Sequence, residues 1–323
     1  MIAAFRDAGR GERMATRRPF RFGVQAFNAG SRDEWVAKAC RAESLGYATF
    51  LIPDHFGGQF APVTALAVAA EATTALRVGA FVFDNDFRHP VVLAKEVATL
   101  DLLSGGRCEL GLGAGWRLPE YERAGIPFDP PGVRIDRLAE AVRVLKGLFA
   151  DGPLTFAGRH YAIAGLDGQP KPLQRPRPPI TIGGGGRRIL SLAAREADTV
   201  SLNPRALPDG TLDQTDTSAA AVARKIDWVR AAAGERFDRL ELNIGVVGVA
   251  ITGDRRGAAR EFAARSGGDE ERALDSPFML IGSVEQIVED LQARRERFGL
   301  SYIAVPSAVA EAFAPVVARL AGT

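Results

Sequence analysis

Cysteine and histidine are the scarce residues of this chain: two and three respectively in 323. Two thiols, Cys40 and Cys108, cannot frame a disulfide scaffold or a cysteine-rich zinc site. The histidines stand apart at positions 55, 89 and 160, at no spacing that a local metal motif uses, so no metal is expected. An excess of one charge is also lacking. Lysine and arginine number 41 against 39 acidic residues, a net +2, which calls for neither nucleic acid nor an anionic membrane as partner. No apolar run reaches the ~18 residues of a membrane span. No secretory pattern follows the N-terminal arginines, and the expected location is the cytoplasm. What remains is 46% hydrophobic and 25% charged, an ordinary balance that buries a core without disulfide or metal. Length alone suggests two domains of ~150 residues, although one α/β barrel also fits.

Residues 1–18 carry Arg6, Arg10, Arg13, Arg17 and Arg18 against Asp7 and Glu12. They read as a poorly ordered basic tail or a consequence of start-site choice, Met14 being an equally good first residue. From residue 19 onward β-rich runs alternate with amphipathic ones. Strands are expected over Arg21–Phe27, Tyr47–Ile52, Leu76–Phe83, Arg107–Leu112, Pro179–Ile182, Asp198–Leu202, Leu240–Ile251 and Ser301–Val305. Several are continuously apolar, as strands covered on both faces are. Helices fall between them, with capping boxes at Ser31/Glu34 and Ser283/Gln286 and Pro90 in the first turn of another. Eight strand–helix units favour one (β/α)8 barrel over residues 19–323 rather than an open sheet. The proline-rich segment 151–178 has no helical period; it reads as an excursion with a hairpin near Thr155–Tyr161, shaping function at the barrel rim.

In such barrels the chemistry sits at the C-terminal ends of the strands. Strand two ends in Asp54-His55-Phe56, and His55 is the candidate acid/base because imidazole exchanges protons near neutrality. A histidine that only ties down a loop is the plainer alternative. Asp54, on the opposite side of the pleat, could brace a neighbouring loop. His89 stands where a helix N-cap belongs, and His160 lies in the excursion with no evident partner. Gly183–Gly186 leave a strand and open a helix, so their amides can converge on a phosphate without obstruction by any Cβ. Their spacing is not the dinucleotide fingerprint. Gly111, Gly113 and Gly115 flatten the end of strand four, which either admits a planar ring or relieves crowding. Phe56, Phe81, Phe83 and Trp116 offer apolar walls.

These pieces together resemble the luciferase-like flavin and deazaflavin oxidoreductases. The matching runs are DHF at Asp54–Phe56, FRHPVVLAKEVATLDLLSGGR at Phe87–Arg107, and ELGLGAGW at Glu109–Trp116. EYERAGIPFDPPGVRIDRL at Glu120–Leu138 and PPITIGGGG at Pro178–Gly186 complete the set. The resemblance implies a (β/α)8 barrel, often a homodimer, with a reduced flavin or coenzyme F420 at its mouth and a small-molecule substrate. It implies a cofactor wall at Phe81 and Val82, on a bulge with a non-prolyl cis peptide. Asp54, Gly113, Ala114 and Gly115 are further cofactor-binding candidates by the same likeness, with Gly183, Gly184 and Gly185 toward the phosphate. His55 matches the position that acts near the reacting ring or on substrate.

The resemblance is closest to the F420-dependent branch, implying hydride transfer between the deazaflavin C5 and an organic substrate, with the excursion as a cover. Arg187 and Arg188 are candidates for the anionic tail of F420. An FMN-dependent two-component monooxygenase using O2 is the alternative enzyme, and a non-catalytic flavin- or F420-binding protein the alternative of another class. The sugar-phosphate dehydrogenases of the family carry tryptophan where Gln59 stands here and glutamate at Trp116, so that reaction is not expected. Arg117 replaces the asparagine common after GAGW in the flavin monooxygenases.

Overall fold

The computed structural model describes residues 18–266 and 269–323, so the expected basic tail lies outside the described residues apart from Arg18. Eight strands close a barrel: β1 (Arg21–Gln25), β2 (Thr49–Ile52), β3 (Arg77–Ala80), β4 (Cys108–Gly113), β5 (Ile180–Gly184), β6 (Thr199–Leu202), β7 (Glu241–Gly245) and β8 (Leu300–Pro306). Each runs parallel to its neighbours, and the β3–β4 and β8–β1 pairings complete the ring. The (β/α)8 architecture expected from eight strand–helix units is the one observed.

Local chemistry places the helices. Ser31 caps Arg32–Ser44 by accepting from the Glu34 amide, whereas the Glu34 carboxylate takes the amide of Gly30 rather than that of Ser31. Ser283 and Gln286 form the full capping box of Val284–Phe298. His89 caps Pro90–Leu103 through Nδ1, which accepts from the Val91 amide at 3.2 Å.

Barrel interiors fill with side chains, here in layers of contrasting character. At the strand starts, Arg21 bridges Glu109 and Glu241 at 2.5 and 2.7 Å, and Arg77 joins Glu109 at 2.6 Å. Burial raises the Glu109 pKa, but the two arginines outweigh it and hold the carboxyl below its usual range. Above this charged floor lie Leu51, Tyr302 and Ala304, with Phe81 packed on them.

Three expectations need correction. The third strand does not run on to Phe83: it ends at Ala80, a cis peptide joins Phe81 to Val82, and Phe83–Asp84 pairs separately with Leu112–Gly113. The seventh strand breaks after Gly245. The Val246 amide still bonds Ala304 O, but that of Val247 turns to Phe278 O, and Gly248–Ile251 pairs outside the barrel with Met279–Gly282. Continuous β-propensity cannot reveal such a change of partner. The excursion, finally, lies along the barrel wall. A helix-to-strand connection begins where strands start, so Gln174 bonds Asp101 and the Cys108 carbonyl at that end. The hairpin Pro153–Ala157/Ala162–Asp167 then climbs beside helix Pro131–Phe149, and its tip reaches the rim through Tyr161 on Asn85 and His89.

Candidate active site

The mouth of the barrel is built on its β2–β4 side by a tightly packed set of loops. Val82 fills the room that the glycines leave. A Cβ on Gly111 would stand 2.1 Å from Ala80 O and 3.0 Å from a Val82 methyl, and one on Gly113 would stand 2.8 Å from the other methyl. Gly111 and Gly113 thus make room for Ala80 and Val82. Phe81 reaches across the mouth: a Cβ on Gly245 would lie 3.2 Å from its ring. Phe81 and Val82, both half-buried, thus form a raised apolar wall at the barrel centre.

The end of β4 is anchored from behind. Arg134, buried and stacked 3.9 Å over Phe128, donates to the carbonyls of Ala114 and Gly115. Gly115 has φ +74° and faces Tyr121, whose hydroxyl oxygen would be 1.8 Å from a Cβ there, so only glycine fits. The Tyr121 hydroxyl is 2.8 Å from both oxygens of Asp84 and 3.3 Å from Asp86. Burial is the main cause that pushes the Asp84 carboxyl up to about 7, with Asp86 and Asp54 adding like charge. Asp86 is also raised by burial, against the pull of Arg137 at 3.0 Å.

Asp54 and His55 separate as the strand pleat requires. Asp54 is buried; Arg88 donates to its two oxygens at 2.6 and 3.2 Å, and the Asp84 amide to one of them at 3.1 Å. It braces the loop after β3, and its acceptors are occupied within the protein. His55 is on the other side, 20% exposed, with Nδ1 2.8 Å from Glu120 Oε2. The second oxygen of Glu120 accepts from Arg117 at 2.8 Å. Trp116 stands edge-on to the imidazole with centroids 5.9 Å apart, and Phe56 stacks at 4.3 Å on Phe87. Among the described residues, Nε2 of His55 has no hydrogen-bond partner. Glu120 was not foreseen as a site residue. Its signal was a carboxylate in the first turn of a helix, Leu118–Ala124, that follows the Gly-rich strand end directly.

The next strand end, beside β4, carries the four-glycine turn, where a Cβ on Gly183 would lie 3.6 Å from a Val82 methyl. Gly183 lies under the Asn203 amide, and Gly185 presses on the backbone of the next loop, where a Cβ would be 2.4 Å from Pro204 O. A Cβ on Gly184 would meet Ile189 at 2.3 Å, whereas at Gly186 it would meet nothing within 4 Å. Helix Arg187–Glu196 then begins with no side-chain cap, next to the open space at Gly186. Arg187 is exposed, and Arg188 is paired with Asp136 at 2.6 Å. The loop after β6 is pinned by Lys225, which is fully buried, 2.7 Å from Asp216 and donating to the Asn203 carbonyl at 2.8 Å.

The predicted residues thus gather on neighbouring strand ends of one mouth, with Gly183 next to the Phe81/Val82 wall and His55, Ala114 and Gly115 beside them. No helix among the described residues is long and apolar enough to cross a membrane. Residues 17–301 match the model of the luciferase-like monooxygenase family. The chain is 27% identical over 262 residues to the FMNH2-dependent dimethylsulfone monooxygenase of Pseudomonas putida, covering 78% of this chain and 69% of that one. It is 32% identical over 177 residues to the F420-dependent glucose-6-phosphate dehydrogenase of Amycolatopsis mediterranei, about half of either chain (52% of each). Among solved structures it is similar to the coenzyme F420-dependent tetrahydromethanopterin reductase of Methanopyrus kandleri, with a TM-score of 0.75 at 18% identity over 94% of this chain and 99% of that one. A match spanning residues 17–301, on a closed barrel with this mouth, shows that the chain belongs to the luciferase-like monooxygenase family.

Proposed function

We propose that the chain is an F420-dependent oxidoreductase acting on a small organic substrate. The observation that carries this reading is the uncapped N-terminus of helix Arg187–Glu196, with open space at Gly186 and flanked by the exposed Arg187. Such a terminus stabilises an anion by ~0.3–1 kcal/mol from its dipole, besides the hydrogen bonds its amides donate. FMN and F420 share a phosphate, but F420 adds an anionic tail, which gives Arg187, without an ion pair among the described residues, a use beside the phosphate cradle. When bound, the deazaflavin supplies hydride chemistry at its C5, the redox capacity that this chain's own side chains lack.

The protein's part is to bind, orient and exclude water. Gly183–Gly186 with the amides of Arg187 and Arg188 would hold the phosphate. Phe81 and Val82 would support the ring system, and Ala114 and Gly115, clamped by Arg134, would flank it. His55 would move the accompanying proton at Nε2, taking it from a substrate hydroxyl or amine on oxidation and returning it on reduction. Phe56 and Trp116 would shield that exchange from solvent.

A second reading, an FMN-dependent monooxygenase, has support from the similarity to the dimethylsulfone enzyme over 78% of the chain. A binding titration separates the two. Micromolar protein is expected to quench or shift F420 fluorescence, with weaker binding of FMN. No change with F420 together with tight FMN binding would overturn the proposal in favour of the second reading.

A further inference from the structure

The Arg117–Glu120–His55 chain determines which ring nitrogen of the histidine carries its proton. Glu120 is 11% exposed and its two oxygens are divided: Oε1 accepts from Arg117 at 2.8 Å and Oε2 faces His55 Nδ1 at 2.8 Å. Arginine is a donor only, and an ionised carboxylate an acceptor only. An ionised Glu120, engaged by Arg117 at Oε1, can only accept at Oε2, so in the neutral imidazole Nδ1 is the protonated nitrogen and Nε2 keeps its lone pair. Nε2 has no partner among the described residues, and the ring is fixed laterally by the edge contact to Trp116. We propose that Glu120, held by Arg117, is the positioning residue that locks His55 in the Nδ1–H tautomer and so presents Nε2 as a proton acceptor at the mouth. The tautomer assignment stands on this geometry alone; its catalytic consequence rests on the proposed function.

The scarcity of histidine makes the test direct. Nitrogen-15 NMR of the ring nitrogens, recorded at a pH where the rings are neutral, has three histidines to assign, and His55→Asn identifies one of them. His89 is an internal contrast, because its Nδ1 accepts from the Val91 amide and must therefore be the unprotonated nitrogen. The expected result is Nδ1–H at His55 and Nε2–H at His89 in the same spectrum.

Glu120→Gln sharpens the assignment. The amide oxygen goes to Arg117, which can only donate, and the amide NH2 then faces Nδ1 and inverts the His55 tautomer to Nε2–H. Adding Arg117→Ala frees the amide to rotate and restores Nδ1–H, a rescue that a merely structural Glu120 would not give. In F420-coupled turnover, Glu120→Gln is expected to lower kcat by ~10²-fold, the lower end of general acid–base contributions, with F420 affinity unchanged. Nε2–H at His55 in the wild-type protein, or no inversion in a folded Glu120→Gln variant, would overturn the proposal. If F420 does not bind at all, the functional reading fails while the NMR result still decides the tautomer.

Discussion

Val82 and Gly113 are matched at neighbouring strand ends: a Cβ on the glycine would come within 2.8 Å of one valine methyl. The nearest obstacle is a side chain, so the conflict can be relieved by shortening it. Gly113→Ala is expected to cost ~1–3 kcal/mol, the usual range for overpacking, and Val82→Ala in the same chain should recover most of that. At Gly111 the nearest atom is the carbonyl oxygen of Ala80, at 2.1 Å. Gly111→Ala should therefore be the more damaging change, and Val82→Ala should not rescue it. Urea denaturation of the four variants checks the contrast.

The Asp84 carboxyl predicts a pH dependence of stability. Burial, chiefly, pushes it up to about 7 in the folded protein, against ~3.9 in an unfolded chain. Between these values the folded state holds a proton that the unfolded state has lost. Stability from this group therefore falls as pH rises through that window, by ~1.4 kcal/mol per pH unit at most. Raised Asp86 acts in the same direction. Asp84→Asn stays neutral throughout, so it should match the wild type below about pH 4, gain on it progressively through the window, and exceed it most above pH 7. Parallel stability curves for the two proteins would show that Asp84 titrates normally.

Arg187 is the residue on which F420 and FMN should part. It is exposed beside the uncapped helix start, while its neighbour Arg188 is tied to Asp136. Arg187→Ala is expected to weaken F420 binding 3- to 10-fold, the effect of one exposed charge contact of about 1 kcal/mol, and to leave FMN binding unaltered. Raising ionic strength should shrink that difference. Equal losses for both ligands in a fluorescence titration would place Arg187 at the shared phosphate instead.

His55→Ala distinguishes an enzyme from a protein that only binds. The imidazole is 20% exposed, and its one hydrogen bond among the described residues is to Glu120. Its removal should leave F420 affinity within twofold while turnover falls by ~10²–10⁴, the span of general acid–base catalysis. Unchanged turnover would return His55 to the plainer role of fixing a loop.

How far all this was legible in the sequence depended on whether the signal was local. The barrel could be read because each strand and cap is encoded within a few residues, as at Ser283 and Gln286 or at His89 and Pro90. The four-glycine turn was visible for the same reason. Partners distant in the chain were not: Glu120 meets His55 across 65 positions, and Tyr121 meets Asp84 across 37. No spacing rule links them, since the barrel closure itself brings them together. The excursion was misplaced because its composition marks a loop without saying at which barrel end it begins. Val247 looked like a continuing strand because β-propensity does not encode which neighbour supplies the hydrogen bonds.

Lys225 belongs to that distant class and carries the last prediction. Its ammonium is fully buried, 2.7 Å from Asp216, and it donates to the carbonyls of Asn203 and Asp216 at 2.8 and 3.0 Å. Burial pulls its pKa down, while Asp216 opposes that shift. Lys225→Met removes the cation but leaves the Asp216 carboxylate buried, with Arg224 and the Arg205 amide as remaining partners. Breaking one side of a buried pair typically costs ~3–5 kcal/mol. Here the loss should concentrate in the loop that Lys225 pins, read as faster amide exchange over residues 203–217. Because Asn203 covers Gly183, F420 affinity should fall in the same variant. Replacing both partners, Lys225→Met with Asp216→Leu, removes the stranded charge and should recover global stability without restoring the slow exchange of the loop. Recovery of both would mean that packing, rather than the lysine's hydrogen bonds to the backbone, holds this side of the mouth.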